Sequence, residues 1–211
     1  MTVNPFETNA SVYDQWYDTF PQTFECEVQA LRALLPPPGQ WVEVGVGTGR
    51  FAEQLDIRLG VEPTVGMAAL ARSRGIDVVQ GVAEALPLET ASQDAIFFIT
   101  TLCFVQHLQK AMAEAYRVLR PNGHCLVGLL PLDSELGCAI QDRAKDDPFF
   151  KTANLRTKRD VLNALQSAGL VLQDSSQTLF GDPASFESRV PTHDSGHDRG
   201  SFVAFRAVKP R

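Results

Sequence analysis

Trp41-Val42-Glu43-Val44-Gly45-Val46-Gly47-Thr48-Gly49-Arg50-Phe51 decides the fold. Trp41 to Val44 reads as a short buried strand, and it runs straight into three alternating glycines. Glycines at such a turn let the main chain bend tightly and admit a ligand against the backbone without a Cβ in the way. Thr48 stands where a helix can start, so free N–H groups would face that ligand. The spacing is G-x-G-x-G, which differs from the G-x-G-x-x-G of dinucleotide sites and the G-x-x-x-x-G-K of phosphate loops. Glu43 lies two residues before the first glycine. A carboxylate there repels a pyrophosphate and attracts a cation such as an amino-acid ammonium or a sulfonium. The competing reading is a structural turn with a surface glutamate.

Outward from this turn, strands and helices alternate. Strands are expected at Ile57–Val61, Ile76–Val79, Ala95–Ile99 and Cys125–Leu130, with further candidates at Leu170–Leu172 and Ser201–Ala207. Ala95 to Ile99 is apolar throughout, as a strand covered on both faces should be. Thr64 can cap a helix carrying Met67, Leu70 and Ala71. Leu108, Ala111, Met112, Ala115, Val118 and Leu119 form one helical face, which Pro121-Asn122-Gly123 should end. Thr157 to Asp160 reads as a capping box ahead of Val161, Leu162, Leu165 and Ala168. Before the glycine turn, Tyr13, Trp16, Tyr17 and Phe20 recur at helical spacing, and so do Val28, Leu31, Leu34 and Leu35. Pro131 to Asn154 has no clean period, and Asp182 to Gly200 reads as a polar surface excursion. The expected architecture is α/β: a Rossmann-like, doubly wound, mostly parallel sheet of seven strands with helices on both faces. Such sheets bind ligands at the carboxyl ends of their strands, where the strand order reverses.

Two more loops follow strands. Glu62 lies 17 residues after Gly45 at the end of the second strand, placed to accept hydrogen bonds from both hydroxyls of a ribose. Its alternative role is to face the positive end of the next helix. Gly81-Val82-Ala83-Glu84-Ala85-Leu86-Pro87 follows the third strand and can offer backbone N–H groups and a small apolar wall to an adenine ring.

Together these segments resemble the class I S-adenosylmethionine-dependent methyltransferases, in particular the small-molecule branch related to the ubiquinone and menaquinone biosynthesis enzymes. The likeness runs from about Trp41 to about Leu130 and includes Arg117-Val118-Leu119-Arg120-Pro121-Asn122-Gly123, similar to the family's R-V-L-K-P-G-G. The resemblance implies an antiparallel last strand near Phe202 to Ala207. It implies S-adenosylmethionine as cofactor and S-adenosylhomocysteine as product. Glu43 and the backbone of Gly45, Val46, Gly47, Thr48 and Gly49 would hold the methionine portion. Glu62 would take the ribose, Pro63 and Met67 would pack on the adenine, and Ala83 and Glu84 would face its edge. Thr100 and Thr101 would line the methionyl end. Apart from the resemblance, the aromatic face of Tyr13, Trp16 and Tyr17 reads equally as a lid whose rings favour the sulfonium and as an amphipathic helix packed on the core. The family's His pair after the fourth strand is absent, with Phe104-Val105 in that region, and Val82 stands where the family often has Asp. No catalytic residue is assigned, because methyl transfer from an activated sulfonium needs mainly proximity, alignment and exclusion of water.

The 211 residues are read as one methyltransferase domain, with 1–38 a helical lid, 39–130 the cofactor-binding core and 131–211 the acceptor side. The chain carries 19 Lys and Arg against 25 Asp and Glu, a net charge of −6, which offers no general field for nucleic acid or anionic membrane. No apolar run approaches the ~20 residues that span a bilayer, and no secretory leader is read at the N-terminus. Cys26, Cys103, Cys125 and Cys138 form no zinc pattern and read as reduced thiols of a cytoplasmic protein. No metal site is expected: His193 and His197 lie in a polar loop without a defined ligand set, and His107 reads as a surface residue at a helix start. The expected partner is a small-molecule acceptor. The competing functions are a non-catalytic cofactor-binding module, a protein methyltransferase and a nicotinamide oxidoreductase, the last opposed by Glu43 and the glycine spacing.

Overall fold

The computed structural model describes residues 4–211. Three helices lead the chain: α1 Pro5–Thr8, α2 Ala10–Thr19 and α3 Pro21–Arg32. The alternating part follows as β1 Trp41–Val44, α4 Arg50–Gln54, β2 Leu59–Glu62, α5 Val65–Ser73, β3 Asp77–Gln80, β4 Gln93–Ile99, α6 Leu108–Val118 and β5 Leu119–Leu129. The rest is α7 Glu135–Arg143, α8 Lys158–Ser167, β6 Val171–Thr178, β7 Asp194–Ser195 and β8 Phe202–Val208, with 3-10 turns at Phe150–Thr152 and Pro183–Ser188. The strands form one sheet in the order β3-β2-β1-β4-β5-β8-β6-β7. Pairing is parallel from β3 to β5 and antiparallel where β8 meets β5 and β6.

β4 explains the layering. Successive side chains of a strand point to opposite faces. Ala95, Phe97 and Ile99 pack with Val28 and Leu31 of α3, Phe51 of α4 and Ala71 of α5. Ile96 and Phe98 pack on the other side with Ala111, Met112 and Ala115 of α6 and Val161 and Leu165 of α8. Each large apolar side chain buried this way contributes about 1.5–3 kcal/mol. The capping box is formed: the Thr157 hydroxyl accepts from the Asp160 N–H at 3.1 Å, and the Asp160 carboxylate accepts from the Thr157 N–H at 3.0 Å.

Several expectations are corrected. The sheet has eight strands rather than seven, because the two-residue β7 pairs with β6 inside the polar excursion. β6 runs to Thr178, its polar residues Gln173 to Gln177 having hidden the strand. Pro121-Asn122-Gly123 does not end α6 but lies inside β5. There the pairing jumps from Gln93 with Leu119 to Ala95 with His124, and Asn122 takes φ 63°. Pro121 has no N–H to give the ladder and Asn tolerates the left-handed region, so the chain bulges. The stretch read as aperiodic contains α7, started by the Ser134 hydroxyl accepting from the Gly137 N–H at 3.0 Å. The helix after the glycine turn starts at Arg50, with Gly49 rather than Thr48 at its cap.

Candidate functional site

The strand order reverses between β1 and β4. A cavity of about 480 Å³ opens there, bordered by the carboxyl ends of β1, β2 and β4 at Val44, Glu62 and Ile99. Its lining includes Glu43, Gly45, Val46, Gly47 and Thr48 of the glycine turn, then Glu62, Pro63 and Met67, then Ala83 and Glu84, then Thr100 and Thr101, and Tyr13. Gly49 is the one sequence-predicted residue that stays outside. Its φ is 85°, and an added Cβ would lie 3.1 Å from the Ala71 Cα, so its lack of a side chain serves the packing of α4 on α5. Gly47 is the opposite case. With φ 54°, its added Cβ would meet only the Gly45 carbonyl oxygen at 3.9 Å and otherwise points into open cavity.

Two carboxyls sit on the cavity floor. Glu43 is 2% exposed, and its Oε2 has no hydrogen-bond partner. Burial first, then the nearby Glu62, push its carboxyl well above the usual range. Glu62 is engaged instead: Oε2 accepts from the Gly47 N–H at 3.0 Å, and Oε1 accepts from the Thr64 N–H at 3.0 Å and the Thr64 hydroxyl at 2.7 Å. Burial raises its carboxyl too, against the pull of those three donors. The Thr64 side chain therefore does not cap α5. Glu7 does, its Oε2 accepting from the Val65 N–H at 2.9 Å.

The N-terminal helices dock on this site through ions and rings. Asp14 of α2 accepts from Arg50 at 3.0 and 2.7 Å and from Arg74 at 2.7 Å, while Arg74 also donates to the Thr48 carbonyl at 2.8 Å. Burial raises the Asp14 carboxyl, but hydrogen bonds from Arg50, Thr48 and Arg74 outweigh it and hold it at about 2. Phe6 and Tyr13 each lie 5.3 Å from the Phe149 ring, and Phe6 lies 4.9 Å from Phe104. The N-terminal segment and the connection after β5 thus meet above the cavity. Adjoining the first is a second, more apolar cavity of about 490 Å³, which shares Tyr13, Tyr17, Phe51, Thr100 and Phe104 with it.

Thr100 stands between the two with φ 50°, its N–H bonded to the Gly128 carbonyl at 2.9 Å. A β-branched residue in that region stores about 1–3 kcal/mol of strain, which clusters at functional sites. Glu84 reaches the first cavity, but its Oε1 accepts from the N–H groups of Gln106 and His107, at 2.9 and 3.1 Å. His107 itself is exposed and lines neither cavity. His193 and His197 bond Ser176 and Ser175, and no group of three metal-ligating side chains occurs among the described residues. Cys103 is buried, its thiol pushed up to about 12 by that burial. Sequence reasoning missed the Arg50–Asp14–Arg74 bridge, the docking of Phe6 and the buried Glu27 in the second cavity. Arg50 directly after the glycines was the one visible signal.

The comparisons with known proteins agree with this geometry. A family described as a methyltransferase domain matches residues 42–127. The crystal structure of a SAM-dependent methyltransferase from Thermotoga maritima, described as a possible histamine N-methyltransferase, is 37% identical and superimposes with a TM-score of 0.92 over 97% of this chain and 98% of that one. An uncharacterized protein of Methanocaldococcus jannaschii is 33% identical over 98% of this chain and all of its own length. A malonyl-[acyl-carrier protein] O-methyltransferase of Methylococcus capsulatus is 36% identical over 110 residues, which are 47% of this chain and 40% of that protein. The chain belongs to the class I S-adenosylmethionine-dependent methyltransferases, and S-adenosylmethionine is its cofactor.

Proposed function

We propose, with that membership as premise, that the chain methylates a small molecule held in the second cavity while the first holds the cofactor. The observation that carries this reading is the shared wall: Tyr13, Tyr17, Phe51, Thr100 and Phe104 border both spaces, so molecules filling them meet at those residues. Bound S-adenosylmethionine supplies an activated methyl group on a sulfonium. Glu43, which borders the cavity and has a buried oxygen without a partner, suits the cationic methionyl portion. The backbone of Gly45 to Thr48 gives that portion close approach, Gly47 above all, where no side chain fills the space. Glu62 has lone pairs left for the ribose hydroxyls. Pro63, Met67, Ala83 and Glu84 border the adenine end, and Thr100 and Thr101 the methionyl end.

The rings of Tyr13 and Tyr17 would keep water from the reacting atoms and place aromatic faces near the sulfonium. The segment before residue 38 and the connection from 131 to 154 would act as the lid. A cavity of this size and apolarity fits one small molecule. Four free thiols, three of them buried, suit a cytoplasmic setting, and no helix of the described residues is long and apolar enough to cross a membrane. The net charge of −6 speaks against nucleic acid as the acceptor. A turnover screen with S-adenosylmethionine over small O-, N- and S-nucleophiles tests the reading. Acceptor-dependent S-adenosylhomocysteine formation is expected. Methylation of proteins alone, or cofactor binding without turnover on any acceptor, would contradict it.

A further inference from the structure

Glu27 is the one carboxyl of the second cavity that nothing else explains. It projects from α3 one turn after Thr23, which also lines the cavity. The Thr23 N–H and hydroxyl are both given to Glu187, the N–H at 2.8 Å, so Thr23 offers Glu27 no donor. Glu27 is 2% exposed, and burial alone, with no hydrogen bond against it, raises its carboxyl. A carboxyl in that position is costly unless a ligand partners it. The walls around it are Tyr13, Trp16, Tyr17, Phe51 and Phe149.

We propose that Glu27 is the catalytic carboxylate of the acceptor cavity, and that the acceptor is an amine carried on an apolar, ring-bearing body. This rests on the methyl-transfer reading above. Aromatic faces and a lone carboxylate both favour a cationic group, and the apolar walls favour a hydrophobic remainder.

An ammonium has no lone pair to give, so it must lose a proton before it can be methylated. Burial pushes the Glu27 carboxyl up to about 8, which suits a base working near neutrality. The other titratable groups around it or lining the same cavity are Tyr13 and Tyr17 of α2, Cys26 of α3, Cys103 after β4, and Arg143 and Asp147. Entry of the ammonium drives one proton from Glu27 to solvent. The ammonium then passes a proton to the Glu27 carboxylate. The freed nitrogen lone pair takes the methyl carbon, the new C–N bond forming as the C–S bond breaks and leaves its electron pair on sulfur. The product is the methylated ammonium and S-adenosylhomocysteine, and Glu27 keeps a proton, as in the free protein.

The test uses the full chain saturated with S-adenosylhomocysteine, with 2-phenylethylamine and the isosteric 2-phenylethanol as probes in calorimetry. Wild type should bind the amine at least about tenfold more tightly than the alcohol, and Glu27→Gln should lose at least about tenfold on the amine and little on the alcohol. S-adenosylhomocysteine affinity should stay within about twofold in the variant. With S-adenosylmethionine, kcat/KM for the amine should rise with pH through about 8 in wild type. In Glu27→Gln only the amine's own ionisation, near ~10, should remain. Wild type that holds S-adenosylhomocysteine but binds the alcohol as well as the amine, or binds neither, overturns the inference and leaves methyl transfer standing. So does unchanged amine affinity in Glu27→Gln. Wild type that holds no S-adenosylhomocysteine overturns the methyl-transfer reading itself.

Discussion

Glu62→Ala removes a carboxylate that is 6% exposed at the end of β2 and accepts from the Gly47 N–H, the Thr64 N–H and the Thr64 hydroxyl. Hydrogen bonds to a charged group contribute about 1.5–3 kcal/mol each, but burying this carboxylate offsets part of that, as its raised carboxyl indicates. A net loss of about 2–3 kcal/mol follows, which lowers the melting temperature of a chain this long by roughly 4–12 °C. Cofactor binding should suffer more. The two charge-assisted bonds proposed for Glu62 to the ribose hydroxyls would amount to about 2–5 kcal/mol, or about thirtyfold to several-thousandfold in Kd. Glu62→Gln separates the two roles. Its oxygen can still accept from Thr64, but its NH2 would face the Gly47 N–H, donor against donor, and distort the turn beside the cofactor. It should recover most of the stability and little of the affinity. Thermal melts without ligand, followed by S-adenosylhomocysteine titration below both transitions, read the two quantities separately. A folded Glu62→Ala protein that binds S-adenosylhomocysteine as wild type does would refute the reasoning and reduce Glu62 to a brace between the turn and α5.

Gly47→Val should abolish S-adenosylhomocysteine binding, since its side chain would enter the open cavity; the positive φ adds about 1–2 kcal/mol of strain, so a melt must first show a folded protein, and normal binding in that protein would count against the site. Glu27→Gln should change how stability depends on pH. The wild-type carboxyl is raised from 4.5 to about 8 in the folded state, which therefore holds the proton more tightly than the unfolded chain. Wild-type stability should fall as pH climbs through that window, and Glu27→Gln should gain on it by up to the order of 4 kcal/mol above pH ~8. Parallel melting curves for the two proteins from pH ~5 to ~9 would be the contrary result. Amide hydrogens of α2 and of residues 131–154 should exchange more slowly with S-adenosylhomocysteine bound, and unchanged protection in both segments would remove the lid.

The alternating core was legible because its signals are local. The G-x-G-x-G turn, the acidic end of β2 and the unbroken apolar run of β4 each follow from what a buried parallel sheet demands of neighbouring residues. Thirteen of the fourteen candidate site residues therefore fall on one cavity. Gly49 was misread because a glycine required by ligand approach and one required by helix packing look alike in sequence. Only the 3.1 Å approach to Ala71 tells them apart. What stayed hidden depends on residues far apart in the chain. Asp14 meets Arg50 and Arg74 across 36 and 60 positions, and Phe6 reaches Phe104 and Phe149 only once α1 has docked on α5. Nothing in the sequence singles out Glu27, beside the apolar positions Val28, Leu31, Leu34 and Leu35, because sequence alone does not tell which face of α3 borders a cavity. The short α7 and β7 carry too few residues for a period to show.

Calorimetric titration of the wild-type chain with S-adenosylhomocysteine and, separately, with NAD addresses the central claim most directly. The unpartnered Glu43 oxygen and the open Gly47 backbone predict saturable one-to-one binding of S-adenosylhomocysteine, lost in Glu43→Ala, and no heat from NAD. Equal or tighter binding of NAD, or S-adenosylhomocysteine affinity indifferent to Glu43, would contradict the assignment of this cavity.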